Sequence, residues 1–126
     1  MQTALKYQKK SYCPYSKYKV GASVLTESGN IYGGFNIENA SYSLTIDAEQ
    51  CAIACAVSNG EKNLKAIAIA ANGAKPCGAC LQVMSEFMDK NSPILLIDTS
   101  KKGKITISAH KLKQLLPLTF SAKDID

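Results

Sequence analysis

Arginine is absent from this chain: all 15 basic side chains are lysines, and against 10 acidic residues they give a formal charge of +5. The lysines are scattered, densest at Lys9-Lys10 and Lys101-Lys102-Gly103-Lys104. No basic stripe is interleaved with aromatic residues, so no nucleic-acid partner is expected and the charge serves solubility. Long apolar runs are missing as well. Nothing approaches the roughly 18 to 20 residues that cross a bilayer, and Met1 to Lys10 holds no apolar stretch of signal-peptide length. The expectation is a cytoplasmic protein without a membrane partner. In that reducing setting five cysteines, an odd number, read as thiols or metal ligands rather than as a disulfide framework. Histidine is reduced to His110, expected at the surface of a late helix.

What remains is ordinary globular material, 46% hydrophobic and 20% charged, without internal repeats, linkers or low-complexity segments. A chain of 126 residues is expected to form one domain, 1–126, because that length can bury about two-thirds of the unfolded surface.

Residues 2 to 11 predict a short helix, closed before Pro14 because proline disfavours helix at the residue preceding it. Val20 to Thr26, the turn Glu27-Ser28-Gly29-Asn30 and Ile31 to Phe35 read as a β-hairpin. Asn36 to Thr45 looks irregular. Asp47 to Ser58 is alanine-rich, opened by a residue favoured at helix N-caps and ended by Asn59-Gly60. Leu64 to Ala71 is a buried strand by its apolar run. Gly78 to Asp89 carries the spacing of an amphipathic helix. Pro93 to Asp98 and Lys104 to Ile107 predict two further strands, and Ala109 to Leu115 a final helix stopped by Pro117. This order implies an α/β fold: a mixed, about five-stranded sheet with helices on both faces, in three α/β/α layers.

In such a fold the two middle helices start on one side of the sheet, so Asp47-Ala48-Glu49 and Cys77-Gly78-Ala79-Cys80 can meet. Cys77 and Cys80 sit in the loop and first turn of a helix, where the helix dipole favours thiolates. Alone, that pair reads as a zinc site, a redox pair or chance. Its Gly-Ala interior and the lack of a preceding thioredoxin-like pattern weaken the redox reading. Asp47 is equally a helix cap or a metal ligand, and Glu49 a favourable first-turn acid or a group facing metal-bound water. Hydrolytic deamination needs the second division of labour: zinc generates hydroxide near neutral pH, and a carboxyl group carries protons to the ring nitrogen and the leaving amine.

Over nearly its whole length the chain resembles the small homotetrameric zinc-dependent cytidine deaminases. The resemblance is carried by Tyr15-Ser16-Lys17-Tyr18-Lys19-Val20-Gly21-Ala22, by Asn36-Ile37-Glu38-Asn39-Ala40-Ser41-Tyr42-Ser43, by Ala48-Glu49 and by Pro76-Cys77-Gly78-Ala79-Cys80. Leu115-Leu116-Pro117 and Phe120-Ser121 complete it. It implies conversion of cytidine or deoxycytidine to the uridine product and ammonia, as in pyrimidine salvage, by zinc hydroxide attack at C4. Glu49 is then the proton shuttle, and Asp47, Cys77 and Cys80 hold one zinc ion per chain. Asn36 and Glu38 hydrogen-bond the ribose, Tyr18 packs on the base and the backbone near Ala48 meets its edge. Tyr42 and Phe120 reach the sites of neighbouring subunits.

Two features depart from the family pattern. The first zinc ligand is normally cysteine followed by alanine, glutamate and arginine, and a second arginine normally follows the last cysteine; here Asp47, Gln50 and Leu81 stand at those places. The arginines resemble a device for drawing charge from three thiolates. Carboxylate donates less charge than thiolate, so the missing thiolate and missing arginines compensate, with Gln50 left to offer a neutral hydrogen bond. Alternatives are the same chemistry on a cytosine nucleoside antibiotic or modified nucleoside, or an inactive zinc- or nucleoside-binding homologue. Cys51, one turn beyond Asp47, points too deep to ligate, and Cys13 and Cys55 read as small buried hydrophobes.

Overall fold

The computed structural model describes residues 1–125. Its elements are α1 (Gln2–Lys9), β1 (Gly21–Thr26), β2 (Ile31–Phe35), α2 (Ala48–Ser58), β3 (Leu64–Ala71), α3 (Gly78–Phe87), β4 (Pro93–Lys101), β5 (Lys104–Lys111) and α4 (Leu112–Leu115). The strands form one mixed sheet in the order β2-β1-β3-β4-β5. Pairing is antiparallel except between β3 and β4, where Ile67 to Ala71 run parallel to Ile94 to Asp98. The expected five strands and three layers are present.

Alternation along β3 explains the two-sided burial. Ile67, Ile69 and Ala71 pack with Ala48, Ala52 and Ala56 of α2 and with Leu81 and Met84 of α3. Ala68 and Ala70 face the other way, onto Ala4 of α1 and Ile97. A strand covered on both faces reads as a continuous apolar run rather than an alternating one. Ala48, Ala52 and Ala56 of α2 recur every fourth residue and are fully buried, so this helix lies close to the sheet. Gly34 completes the fit: a Cβ there would overlap the backbone of Ala52.

The last helix is a correction. Residues 109 to 111 continue β5, with His110 paired to Ile94 and Lys111 to Pro93, and only Leu112–Leu115 are helical. The ladder to β4 satisfies backbone groups that a short polar helix would leave to water, and it overrides the local helical reading. His110 is therefore a half-buried strand residue and not a helix surface residue. Strand β4 likewise extends past Asp98 to Lys101. In the segment 36–45, Ile37 bridges Tyr12 and Ile46, and Tyr42–Leu44 form one 3-10 turn. Among the described residues no helix is long and apolar enough to cross a membrane.

Because β1 is antiparallel to both β2 and β3, the last two run parallel and end at the same edge. The chain leaves β2 for α2 and β3 for α3, so both helices begin at that edge. This is where ligands bind in sheets with parallel strands, beyond the carboxyl ends.

Candidate metal centre and active site

Asp47 is the N-cap residue of α2, with extended φ −72° and ψ 153°. An aspartate there ordinarily accepts a hydrogen bond from a first-turn N–H, worth about 1 kcal/mol. Its side chain makes no such bond. Instead Oδ2 lies 3.1 Å from Cys80 Sγ and 3.5 Å from Cys77 Sγ, and the two sulfurs are 3.5 Å apart. Cys77 is itself the N-cap of α3, again without a side-chain cap bond, and Cys80 lies in its first turn. With Zn–S about 2.3 Å and Zn–O about 2.0 Å, tetrahedral ligands stand roughly 3.5–3.8 Å apart. The observed spacings fit a zinc ion with little adjustment. Among the described residues this is the cluster of three His, Cys, Asp or Glu side chains that could hold a metal ion, its candidate ligand atoms all within 4.8 Å of one another.

Glu49, two residues along α2, is 5% exposed. Burial raises its pKa first and the Asp47 charge adds to this, against hydrogen bonds from its own backbone N–H and the Cys80 thiol. Burial, with the charges of Glu49 and Asp47, drives the Cys80 thiol upward as well. Two carboxyls and two thiols so arranged disfavour further negative charge, and a divalent cation is the group that would relieve them.

Tyr18, Asn36, Glu38, Asp47, Ala48, Glu49, Cys77 and Cys80 line one cleft of about 320 Å³. That falls within the roughly 300–1,000 Å³ of small-molecule sites. The Asn36 side chain is 7% exposed and mostly occupied: Nδ2 donates to the Tyr18 carbonyl at 2.8 Å, and Oδ1 accepts from Val20 N–H at 3.0 Å and from the Ser11 hydroxyl. One N–H remains for a ligand. Glu38 accepts from the backbone N–H groups of Tyr15 and Ser16 and from the Ser16 hydroxyl. The Ser16 bonds, with Lys17 nearby, hold its carboxyl below the usual range. It stays an ionised acceptor with lone pairs to spare. Burial and the Glu49 charge push the Tyr18 phenol upward, so its hydroxyl remains a donor.

Tyr42 and Gln50 do not join this cleft. They line an adjoining one with Tyr15, Ser43 and Ala79, which meets the first at Ser16, Glu38, Thr45 and Asp47. Tyr42 is 74% exposed and stacks edge-on against Tyr15. Phe120 is 59% exposed, and its carbonyl accepts from Gln82. Cys13 is buried, while Cys51 and Cys55 are half-buried and outside the cluster. Leu81 is buried in the core. Lys75 escaped the sequence reading; among the described residues it is the one cation lining the metal cleft. Its place before Pro76-Cys77 was the available signal.

A three-layer sheet, paired helix N-termini carrying two thiols and two carboxyls, and a small-molecule cleft beside them make a site that can hold a divalent metal next to a small ligand. Residues 1–96 match the family described as the cytidine and deoxycytidylate deaminase zinc-binding region. The cytidine deaminase of Sporosarcina psychrophila is 44% identical over 123 residues, covering 95% of this chain and 88% of that one. That of Halalkalibacterium halodurans is 38% identical over 130 residues, covering 100% and 95%. A crystal structure of cytidine deaminase from Burkholderia pseudomallei superimposes with a TM-score of 0.84 at 35% identity, covering 94% of each chain. The chain belongs to the cytidine deaminase family.

Proposed function

We propose that the cleft hydrolyses cytidine or deoxycytidine to the corresponding uridine nucleoside and ammonia. The carrying observation is Asp47: a helix-cap aspartate that forgoes its own helix and turns to two thiols of another helix, beside a buried carboxyl whose proton affinity is raised. Asp47, Cys77 and Cys80 would hold one zinc ion, which when bound polarises water for attack at C4 of the base. The chain's own residues do the rest. Glu49 takes a proton from the attacking water, delivers it to N3 of the base and carries the next to the leaving amine. A carboxyl with raised affinity suits both directions of transfer near neutral pH. The Tyr18 ring forms one wall for the base, and the backbone near Ala48 lies at its edge. Glu38 accepts from ribose hydroxyls while the spare N–H of Asn36 donates to them.

On the same reading the domain spans 1–126, the protein is cytoplasmic and the working form is a homotetramer. Tyr42 and Phe120 then enter neighbouring clefts; their exposure, with that of Leu44 and Leu118, supports this. Aromatic stacking on a base contributes about 1 to 3 kcal/mol, reason enough to borrow a ring from a neighbour. Gln50, beside Asp47 at the outer cleft, replaces a cation with a neutral donor.

The test is cytidine turnover, followed as loss of its ultraviolet absorbance, with zinc counted per chain. The parent protein is expected to carry one zinc and to turn over. Asp47→Ala is expected to lose most of both, by more than the roughly 10- to 100-fold that follows loss of a group merely supporting a metal ligand. Undiminished zinc and turnover in Asp47→Ala would remove it from the ligand set. No turnover in a zinc-loaded parent would leave only a nucleoside-binding homologue.

A further inference from the structure

The five residues before Cys77 form a wall between two cavities. On one side is the metal cleft; on the other a larger one of about 560 Å³, bounded by Gly73, Ala74, Pro76, Asp98 and His110. Lys75 lines both. Within this loop Ala74 packs into the core, but Asn72 and Gly73 before it are exposed, so hydrogen bonds must fix that part of the loop.

Two side chains supply them from opposite sides. From the metal cleft the Tyr18 hydroxyl donates to the Asn72 carbonyl at 2.9 Å. From the other cavity Asp98 Oδ1 accepts the Gly73 N–H at 2.9 Å and also its own strand's Ser100 N–H at 2.8 Å. Asp98 is paired with Ala71, the last residue of β3, in parallel register, so it stands where the loop departs. Gly73 there takes a left-handed φ of +73°, a turn that aims its N–H back at the carboxylate. Adjacent loop residues are thus clasped by groups from two different parts of the chain.

We propose that Asp98 is a positioning residue: with Tyr18 it clamps the Asn72–Pro76 loop and through it fixes Cys77 and the wall of the metal cleft. This rests on Cys77 being a zinc ligand. Asp98 does not line the metal cleft; it acts by holding backbone. Its acceptor geometry, more than its charge, is what the loop uses, since the partners are neutral N–H groups.

The experiment compares the parent with Asp98→Ala, Asp98→Asn and Tyr18→Phe, reading zinc loss to a chelator, KM and kcat of the zinc-loaded enzyme, and the urea midpoint. Asp98→Ala is expected to lose zinc about tenfold faster, the scale for groups that support metal ligands. KM should rise several-fold with kcat within about twofold, because Glu49 and Cys80 sit on α2 and α3 and Asp47 caps α2, all off the loop. Asp98→Asn keeps an acceptor oxygen and should remain within about twofold of the parent. Tyr18→Phe keeps the ring and should speed zinc loss less than Asp98→Ala, with the double variant departing from additivity because both groups hold one loop. A lowered urea midpoint with unchanged zinc loss and KM would reduce Asp98 to a structural role and overturn the proposal. So would Asp98→Asn behaving like Asp98→Ala. A parent that binds no zinc overturns the ligand set, read in the parent arm alone, and takes the purpose of the clamp with it.

Discussion

At the end of the sheet where β1 finishes and β3 begins, Glu61 lies half-buried among matched donors. The Ser28 hydroxyl and the Asn30 amide both reach its Oε1, and Asn30 N–H in turn meets Thr26 Oγ1. Those bonds, Ser28 first, hold its carboxyl below the usual range. At the opposite end Glu49 is buried beside Asp47 and two thiols, and its pKa moves the other way. Both ends gather polar groups around a carboxyl. One is a closed set that fastens the β1–β2 turn to the start of β3; the other is open, its negative groups answered by no cation on α2 or α3. A satisfied carboxylate serves the fold, whereas a buried one with a raised pKa marks the group that the proposed function assigns to the chemistry.

The most severe way to break this contrast is Glu49→Gln. Turnover should fall by about 10²- to 10⁴-fold, the usual contribution of a positioned proton carrier, while zinc content stays near that of the parent. In the metal-free protein the same change should raise the unfolding temperature by a few degrees at pH 8. The folded pKa lies above the unfolded one, so the folded state loses stability as pH rises through that window, and glutamine removes the loss. Near pH 4, where the glutamate is largely neutral in both states, the two proteins should melt together. A Glu49→Gln protein less stable at pH 8 would contradict the sign.

Asp47→Cys sharpens the electrostatic side of the comparison. It restores a third thiolate in a chain without arginine, so zinc should be retained while turnover falls about tenfold. Adding Gln50→Arg should recover part of the loss, because a cation then draws charge from the sulfurs. Equal turnover in Asp47→Cys and the parent would dismiss the compensation. The smallest effect is expected at the closed end. Glu61→Gln should leave zinc content, KM and kcat unchanged and lower the melting temperature only slightly at neutral pH. With a folded pKa below the unfolded one, that contribution is present above the unfolded value and lost as pH falls through the folded one. The difference between Glu61→Gln and parent should therefore close on acidification.

Much of this architecture was legible in order along the chain. The hairpin turn at Gly29, with its left-handed φ of +91°, the alanine-rich α2 and the apolar β3 follow from local rules and lie where those rules put them. The misreading at His110 has a physical source. Residues 109 to 111 have no strong preference of their own, and their pairing with β4 depends on a strand more than a dozen residues away. Asp98 was illegible for the same reason: its partner Gly73 is 25 residues distant, and nothing in the segment around Asp98 signals a loop to be held. Asn36 was legible as polar and purposeful, yet most of its bonding capacity goes to the Tyr18–Val20 segment, which only neighbouring backbone could reveal.

The sequence by itself determined which chemical groups exist and at what spacing: two thiols three residues apart before an amphipathic helix, an aspartate and glutamate two apart before another, and no arginine anywhere. Residue chemistry is a property of the chain, and short-range periodicity follows from helix and strand geometry alone. Tertiary structure decided which of two local roles Asp47 takes. A cap and a ligand have the same neighbours in sequence. Only the common end of β2 and β3 brings Cys77 and Cys80, 30 and 33 residues away, within 3.5 Å of its carboxylate, a spacing at which a shared cation would contribute more than one capping bond.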